Sequence, residues 1–294
     1  MRDLAQDSGQ IQGGPTRSSP RVALALGGGS ARGLAHVLIL EAFDELGIRP
    51  AVIAGTSMGA ICGAAYAAGL SGSEMRAEFA ALFANRGLFL KRVAGKLPSG
   101  LPHLWSPRTP SVVDSVTLFE MLLPEAMRCD FAALRIPFLA VAADFYAIEQ
   151  VVLDQGPLIP ALAASSALPS LTRPVVLGGR TLIDGGFVNP LPYDVVLGRA
   201  DVVVAVDVTG APRRRPGAAG TPRTLDAITG STQILFHSIT REKLKAAAPD
   251  ILIRPEVGAF GSLDYFKMEE ILAAAEPAKQ ELKRNLAQIL AAAG

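Results

Sequence analysis

Residues 51–59 read Ala-Val-Ile-Ala-Gly-Thr-Ser-Met-Gly, inside a stretch from Pro50 to Ser73 that has no charged side chain. An apolar run closed by Gly-x-Ser-x-Gly reads as a buried strand that turns sharply into a helix. In such a turn Ser57 is strained and its hydroxyl exposed, and Gly55 and Gly59 remove side chains that would collide where the chain doubles back. The helix behind it points its positive end at the site of a developing oxyanion. Two blander readings compete. The stretch 51–73 is long enough to span a bilayer, yet only Val52, Ile53, Met58, Ile61, Leu70 and Tyr66 carry much apolar bulk, which suits packing inside a protein better. The other is a small-residue turn in a tight core with no chemistry.

On the N-terminal side, Val22–Leu26 is a short apolar run that stops at Gly27-Gly28-Gly29. A helix follows, with Leu34, Leu38, Ala42 and Leu46 at four-residue spacing and Gly47 as its stop. Successive glycines between a strand and a helix turn backbone N–H groups outward, ready for negative charge. A phosphate-gripping loop would need lysine after Gly33, where Leu34 stands. A dinucleotide loop would need glycine at Arg32 and an acidic residue after the second strand, where Ala54-Gly55 stands. What remains is an oxyanion hole beside Ser57 or a mere tight turn. Arg32 would orient the loop or meet a substrate phosphate.

Toward the C-terminus, Ser73-Glu74 is read as opening an amphipathic helix that runs to about residue 92, followed by a proline-rich loop at 95–113 holding Trp105 and His103. Strands are expected at Ile136–Asp144 and Ile148–Leu153, a helix at Pro157–Leu168, and a hairpin of Val175–Leu177 with Thr181–Ile183 around Gly178-Gly179-Arg180. Asp201–Val208 is a β-branched, buried strand. Residues 209–223, with Arg213-Arg214-Arg215, read as a flexible loop, and 223–294 as mostly helical around a short strand at Ile251–Ile253. Alternating strands and helices imply an α/β protein with a largely parallel sheet covered on both faces. Residues 1–20 read as a disordered tail and 21–294 as one domain without repeats.

The 294 residues are half hydrophobic, and 28 basic side chains nearly balance 27 acidic ones. That excludes a global field for nucleic acid. Two cysteines and three histidines give no metal-ligand spacing, so no metal or other cofactor is expected, and a reduced, cytoplasmic setting is. Oligomeric state is not encoded in any of these patterns.

A serine nucleophile needs a base. His237 is the histidine placed for a Ser–acid–His order, although it lies in a helical pattern. His36 would border the site without reaching Ser57. The other choice is a carboxylate acting directly: Asp184 ends the run Thr181-Leu182-Ile183 and precedes Gly185-Gly186, which lets it approach another loop, with burial tuning its pKa upward.

Four ordered blocks, Gly27–Gly33, Gly55–Gly59, Ala164-Ser165-Ser166-Ala167-Leu168-Pro169, and Asp184-Gly185-Gly186 with Asn189-Pro190-Leu191-Pro192, resemble those of the patatin-like phospholipases over roughly residues 21–210. The glycine block departs from the usual Gly-x-Gly-x-x-Gly, since three residues separate Gly29 from Gly33. The resemblance implies a three-layer α/β/α fold, a Ser57–Asp184 dyad, an oxyanion hole on the Gly28 and Gly29 amides, and metal-free hydrolysis of lipid or phospholipid acyl esters. Lipid is then the expected partner. The arginine run reads first as a solvated loop, with peripheral contact to anionic head groups at a membrane surface as the alternative. A Ser57–His237–acid esterase and a non-catalytic binder of acyl ligands are the rival expectations.

Overall fold

The computed structural model describes residues 20–87, 114–169, 171–212, 221–222 and 224–293. Residues 1–19 of the expected tail, 88–92 of the expected long helix, the loop with His103 and Trp105, and Arg213–Arg215 lie outside them.

One eight-stranded sheet organises the chain, from β1 (Val22–Leu26), β2 (Val52–Thr56), β3 (Phe138–Asp144), β4 (Glu149–Leu153), β5 (Val175–Leu177), β6 (Arg180–Asp184), β7 (Val202–Val206) and β8 (Ile251–Ile253). The strands β3-β2-β1-β7-β8 are mutually parallel, while β4, β6 and β5 join through antiparallel pairings. The sheet is therefore mixed and mostly parallel. The helices are α1 (His36–Glu45), α2 (Met58–Ala68), α3 (Gly72–Phe83), α4 (Ser115–Leu122), α5 (Leu158–Ser165), α6 (Thr224–Ala246) and α7 (Met268–Ala293).

Strand alternation sorts the side chains onto two cores even though every residue of β1, β2 and β7 is buried. Leu24, Leu26, Ile53, Val204 and Val206 face a large cluster shared with Leu38 of α1, Ile61 of α2 and Ile271 of α7. Ala23, Ala25, Ala54 and Ala205 point the other way, beneath Leu191, Tyr193 and Val196. Alanine on that face lets the segment after β6 cross close to the strands. Each large side chain buried here contributes roughly 1.5–3 kcal/mol, and Leu24→Ala would remove roughly 2–5 kcal/mol.

Several expected boundaries move for local reasons. Helix α3 begins after Ser71, whose Oγ accepts from the Glu74 N–H at 3.2 Å while its own N–H donates to Glu74 Oε2 at 2.8 Å. A capping box needs the acid three residues after the cap, so Ser71, and not Ser73, is the start. The helix stops at Phe83 and does not run on continuously toward residue 92. Pro137 delays β3 to Phe138, and Gly178 and Gly179, at φ 58° and 76°, form the turn that lets β6 begin at Arg180. The uncharged stretch 51–73 divides into β2, the serine turn and α2. Among the described residues no helix is long and apolar enough to cross a membrane.

Candidate active site

Between β2 and α2 a single residue, Ser57, makes the turn, with φ 55° and ψ −123°. That backbone conformation is disfavoured for a side chain with a Cβ by about 1–3 kcal/mol and persists only where neighbours enforce it. The Ser57 N–H donates to Ser165 Oγ at 3.0 Å, and the Ser165 hydroxyl donates to the Val141 carbonyl at 2.6 Å. The Ser57 carbonyl accepts from the N–H of Ala60 and of Ile61 at 2.9 and 3.1 Å, which starts the helix. Close approach explains the flanking glycines: a methyl on Gly55 would collide with the Ala60 backbone and one on Gly59 with the carbonyls of Leu26 and Gly27.

The partner of Ser57 arrives by strand register. One edge of β3 is shared: β2 runs parallel to it and pairs Thr56 with Val141, whereas β6 runs antiparallel and pairs Asp184 with Ala142. The two strands thus meet end to end, and residues far apart in the chain become neighbours. Ser57 Oγ donates to Asp184 Oδ2 at 2.7 Å. Asp184 is 3% exposed, its Oδ1 accepts from the Gly186 N–H at 2.8 Å, and its N–H donates to the Ala167 carbonyl at 3.0 Å. Burial pushes its pKa up to about 6, against the Gly186 and Ser57 hydrogen bonds that favour the ionised form. A carboxylate of this kind is ionised at neutral pH and close enough in pKa to take a proton.

The glycine loop lies against Ser57, with the position of a Gly28 Cβ 3.4 Å from the serine Cβ. Its amides are not all free. Gly27 N–H donates to the Val206 carbonyl at 3.0 Å and Gly28 N–H to the Pro190 carbonyl at 2.8 Å, so the expected Gly28 donor is already committed. Gly29 N–H has no acceptor among the described residues. Gly33 packs its bare Cα on Met58.

Arg32 is buried, with Nε donating to the Val208 carbonyl at 3.3 Å and Nη1 to the Phe260 carbonyl at 3.1 Å. Turned so that its amide oxygen faces the guanidinium, Gln233 accepts from Nη1 and Nη2 at 3.1 and 3.3 Å. Burial lowers its pKa to about 10, which leaves it cationic. Four of its five N–H groups thus point at protein oxygens, a geometry that suits the loop-orienting role better than a grip on a substrate phosphate. His36 is wholly buried and donates from Nε2 to the Gly27 carbonyl at 2.8 Å, and burial lowers its pKa to about 4, so it is neutral and bordering.

His237 sits on the exposed side of α6, lining a cleft with Asp207, Arg241 and Arg254, and takes no part in the serine–aspartate contact. The sequence reading missed Ser165 and Thr56. Thr56 Oγ1 donates to the Asn189 carbonyl at 2.8 Å, tying the segment after Asp184 to the nucleophile strand. An aromatic cluster stands nearby: Phe83 stacks on Tyr265 at 5.4 Å between centroids and meets Phe266 edge-on at 5.9 Å, while Ala31 N–H donates to the Ser262 carbonyl at 3.2 Å and so fixes this segment to the glycine loop.

Comparison with known proteins identifies the family. The family model described as "Patatin-like phospholipase" matches residues 24–197. An uncharacterized NTE family protein of Mycobacterium tuberculosis is 36% identical over 223 residues, covering 74% of this chain and 58% of that relative. Lysophospholipase NTE1 of Kluyveromyces lactis is 28% identical over 287 residues, 87% of this chain and 19% of the relative. The chain thus spans little more than half of the mycobacterial relative and a fifth of the yeast one. Among solved structures, VipD from Legionella pneumophila has a TM-score of 0.47 at 14% identity over 90% of this chain and 67% of its own. With the family model covering more than half of its length and a relative above 30% identity, this chain belongs to the patatin-like phospholipase family.

Proposed function

We propose that the protein is a serine acyl hydrolase that cleaves carboxylic esters of lipids or phospholipids through an acyl-enzyme, with Ser57 as nucleophile and Asp184 as its base. The observation that carries this is the direct 2.7 Å hydrogen bond from Ser57 Oγ to Asp184 Oδ2, made from a strained turn at the positive end of α2. Asp184 accepts the hydroxyl proton as Oγ attacks the ester carbonyl. The carbonyl oxygen becomes an oxyanion, and we assign its stabilisation to the Gly29 N–H, which no protein acceptor takes up among the described residues, and to the first N–H of α2, that of Met58. Collapse of the tetrahedral intermediate breaks the C–O bond to the alcohol, which takes the proton from Asp184. Water then repeats the sequence on the acyl-enzyme and returns the free acid.

Support for a lipid acyl group comes from the family and from the Phe83, Tyr265 and Phe266 rings fixed beside the glycine loop. The test is release of fatty acid from a mixed phospholipid pool, measured by mass spectrometry for the native protein and for Ser57→Ala. Release that depends on Ser57 is expected; equal release by both proteins would remove the proposal.

A further inference from the structure

The turn between β3 and β4 reads Phe145-Tyr146-Ala147-Ile148, and its apolar side chains stand in solvent: Phe145 is 52%, Tyr146 78% and Ile148 85% exposed. This is not a loose loop. Phe145 N–H donates to the Thr181 carbonyl at 2.8 Å, the N–H groups of Tyr146 and Ala147 donate to Asp144 Oδ1 at 3.1 Å each, and Ile148 N–H donates to the Asp144 carbonyl at 3.0 Å. Four successive amides are satisfied, and the Phe145 and Tyr146 rings meet edge-on at 5.1 Å. Ile148 has φ 57°, a backbone conformation suited to glycine or asparagine and penalised for a β-branched residue. Folding gains nothing from isoleucine there, since its side chain packs on almost nothing.

Position suggests what it meets. Ser57 follows Thr56, which pairs with Val141, and β3 runs on past that level in the same direction before the turn. At about 3.3 Å per residue, the tip stands about 10–15 Å beyond the nucleophile, at the same end of the sheet. Positive charge does not draw the tip to head groups: Phe145, Tyr146, Ala147 and Ile148 carry none, and at their base Arg180 is already paired with Glu149 at 2.6 Å and Asp144 at 3.6 Å. Adjacent Phe and Tyr are the side chains that settle where an apolar phase meets water.

We propose that this turn is a docking tip that enters a lipid surface and sets the active-site end of the sheet against it. The choice of lipid as occupant rests on the lipid-ester reading above. Insertion to the about 5–10 Å depth usual for interfacial segments would hold Ser57 within about 10 Å of the layer that contains the ester.

The test is co-sedimentation with phosphatidylcholine vesicles, using the double variant Phe145→Ser with Ile148→Asn. Asparagine suits the backbone at 148 better than isoleucine, so misfolding is not the expected outcome. Vesicle partitioning should fall by about tenfold or more per side chain, and binding of the native protein should change less than about twofold between 0.1 and about 0.5 M salt. Hydrolysis of a soluble p-nitrophenyl butanoate should be unaltered in the double variant. Ser57→Ala should bind vesicles like the native protein, and vesicle binding by the native protein without ester hydrolysis would overturn the enzymatic reading while leaving the tip in place. Unchanged partitioning in the double variant, or binding abolished by salt, would overturn the tip. So would light scattering that shows a native dimer split by the double variant, since the surface would then be a contact between copies.

Discussion

Asp184→Asn preserves the shape of the site and removes its charge, and two opposite effects follow. Burial lifts the carboxyl from its ordinary 3.8 to about 6, and at 1.36 kcal/mol per pH unit the folded state disfavours the ionised form by roughly 3 kcal/mol. The native state holds the proton more tightly than the unfolded chain, so between about pH 4 and 6 stability falls as pH rises, and the full penalty applies above 6. The variant has no such penalty. It should be more stable than the native protein by up to about 3 kcal/mol at pH 8, with the difference shrinking toward zero below pH 4. Urea unfolding at pH 8, 6 and 4, followed by circular dichroism, measures it. Ester hydrolysis should meanwhile drop by about 10²–10⁴-fold. A native protein as stable as the variant or more so at pH 8 would refute the claim that the buried carboxylate is held at a cost to the fold.

Three further outcomes follow from the same geometry. Since the base must be ionised, kcat/KM should rise about tenfold per pH unit up to about pH 6 and level off above it; a rise centred near pH 4 would contradict the buried position of Asp184. Ser165→Ala leaves the Ser57 N–H and the Val141 carbonyl without their partner, so it should lower stability by roughly 1–3 kcal/mol and reduce kcat more than it alters KM, with Ser165→Thr recovering part of the rate. His237→Ala should leave ester hydrolysis within about twofold of native, because its imidazole lines a different cleft; a loss of orders of magnitude would restore the histidine triad.

Much of this site can be read along the chain because its parts are local. Gly55–Gly59 encodes its own turn, and the strand before it and the helix after it are set by apolar runs and small residues. Asp184 was legible as a candidate from its place at a strand end before two glycines, but its meeting with Ser57 depends on β2 and β6 sharing one edge of β3, a register that no local pattern carries. The glycine loop shows the opposite limit. Three glycines announce exposed amides, yet which amide is free depends on the carbonyls of Val206 and Pro190, both far along the sequence. Ser165 was visible only as part of a small-residue block, since its role comes from bridging Ser57 to Val141 across the sheet edge. At α3, two serines within three residues competed for the cap, and only the spacing to Glu74 separates them.

The most direct measurement is labelling with a fluorophosphonate followed by peptide mass spectrometry. One adduct is expected, on Ser57, absent from Ser57→Ala and formed far more slowly by Asp184→Asn. An adduct on another side chain, or labelling of Ser57 at an undiminished rate without the Asp184 carboxylate, would contradict it.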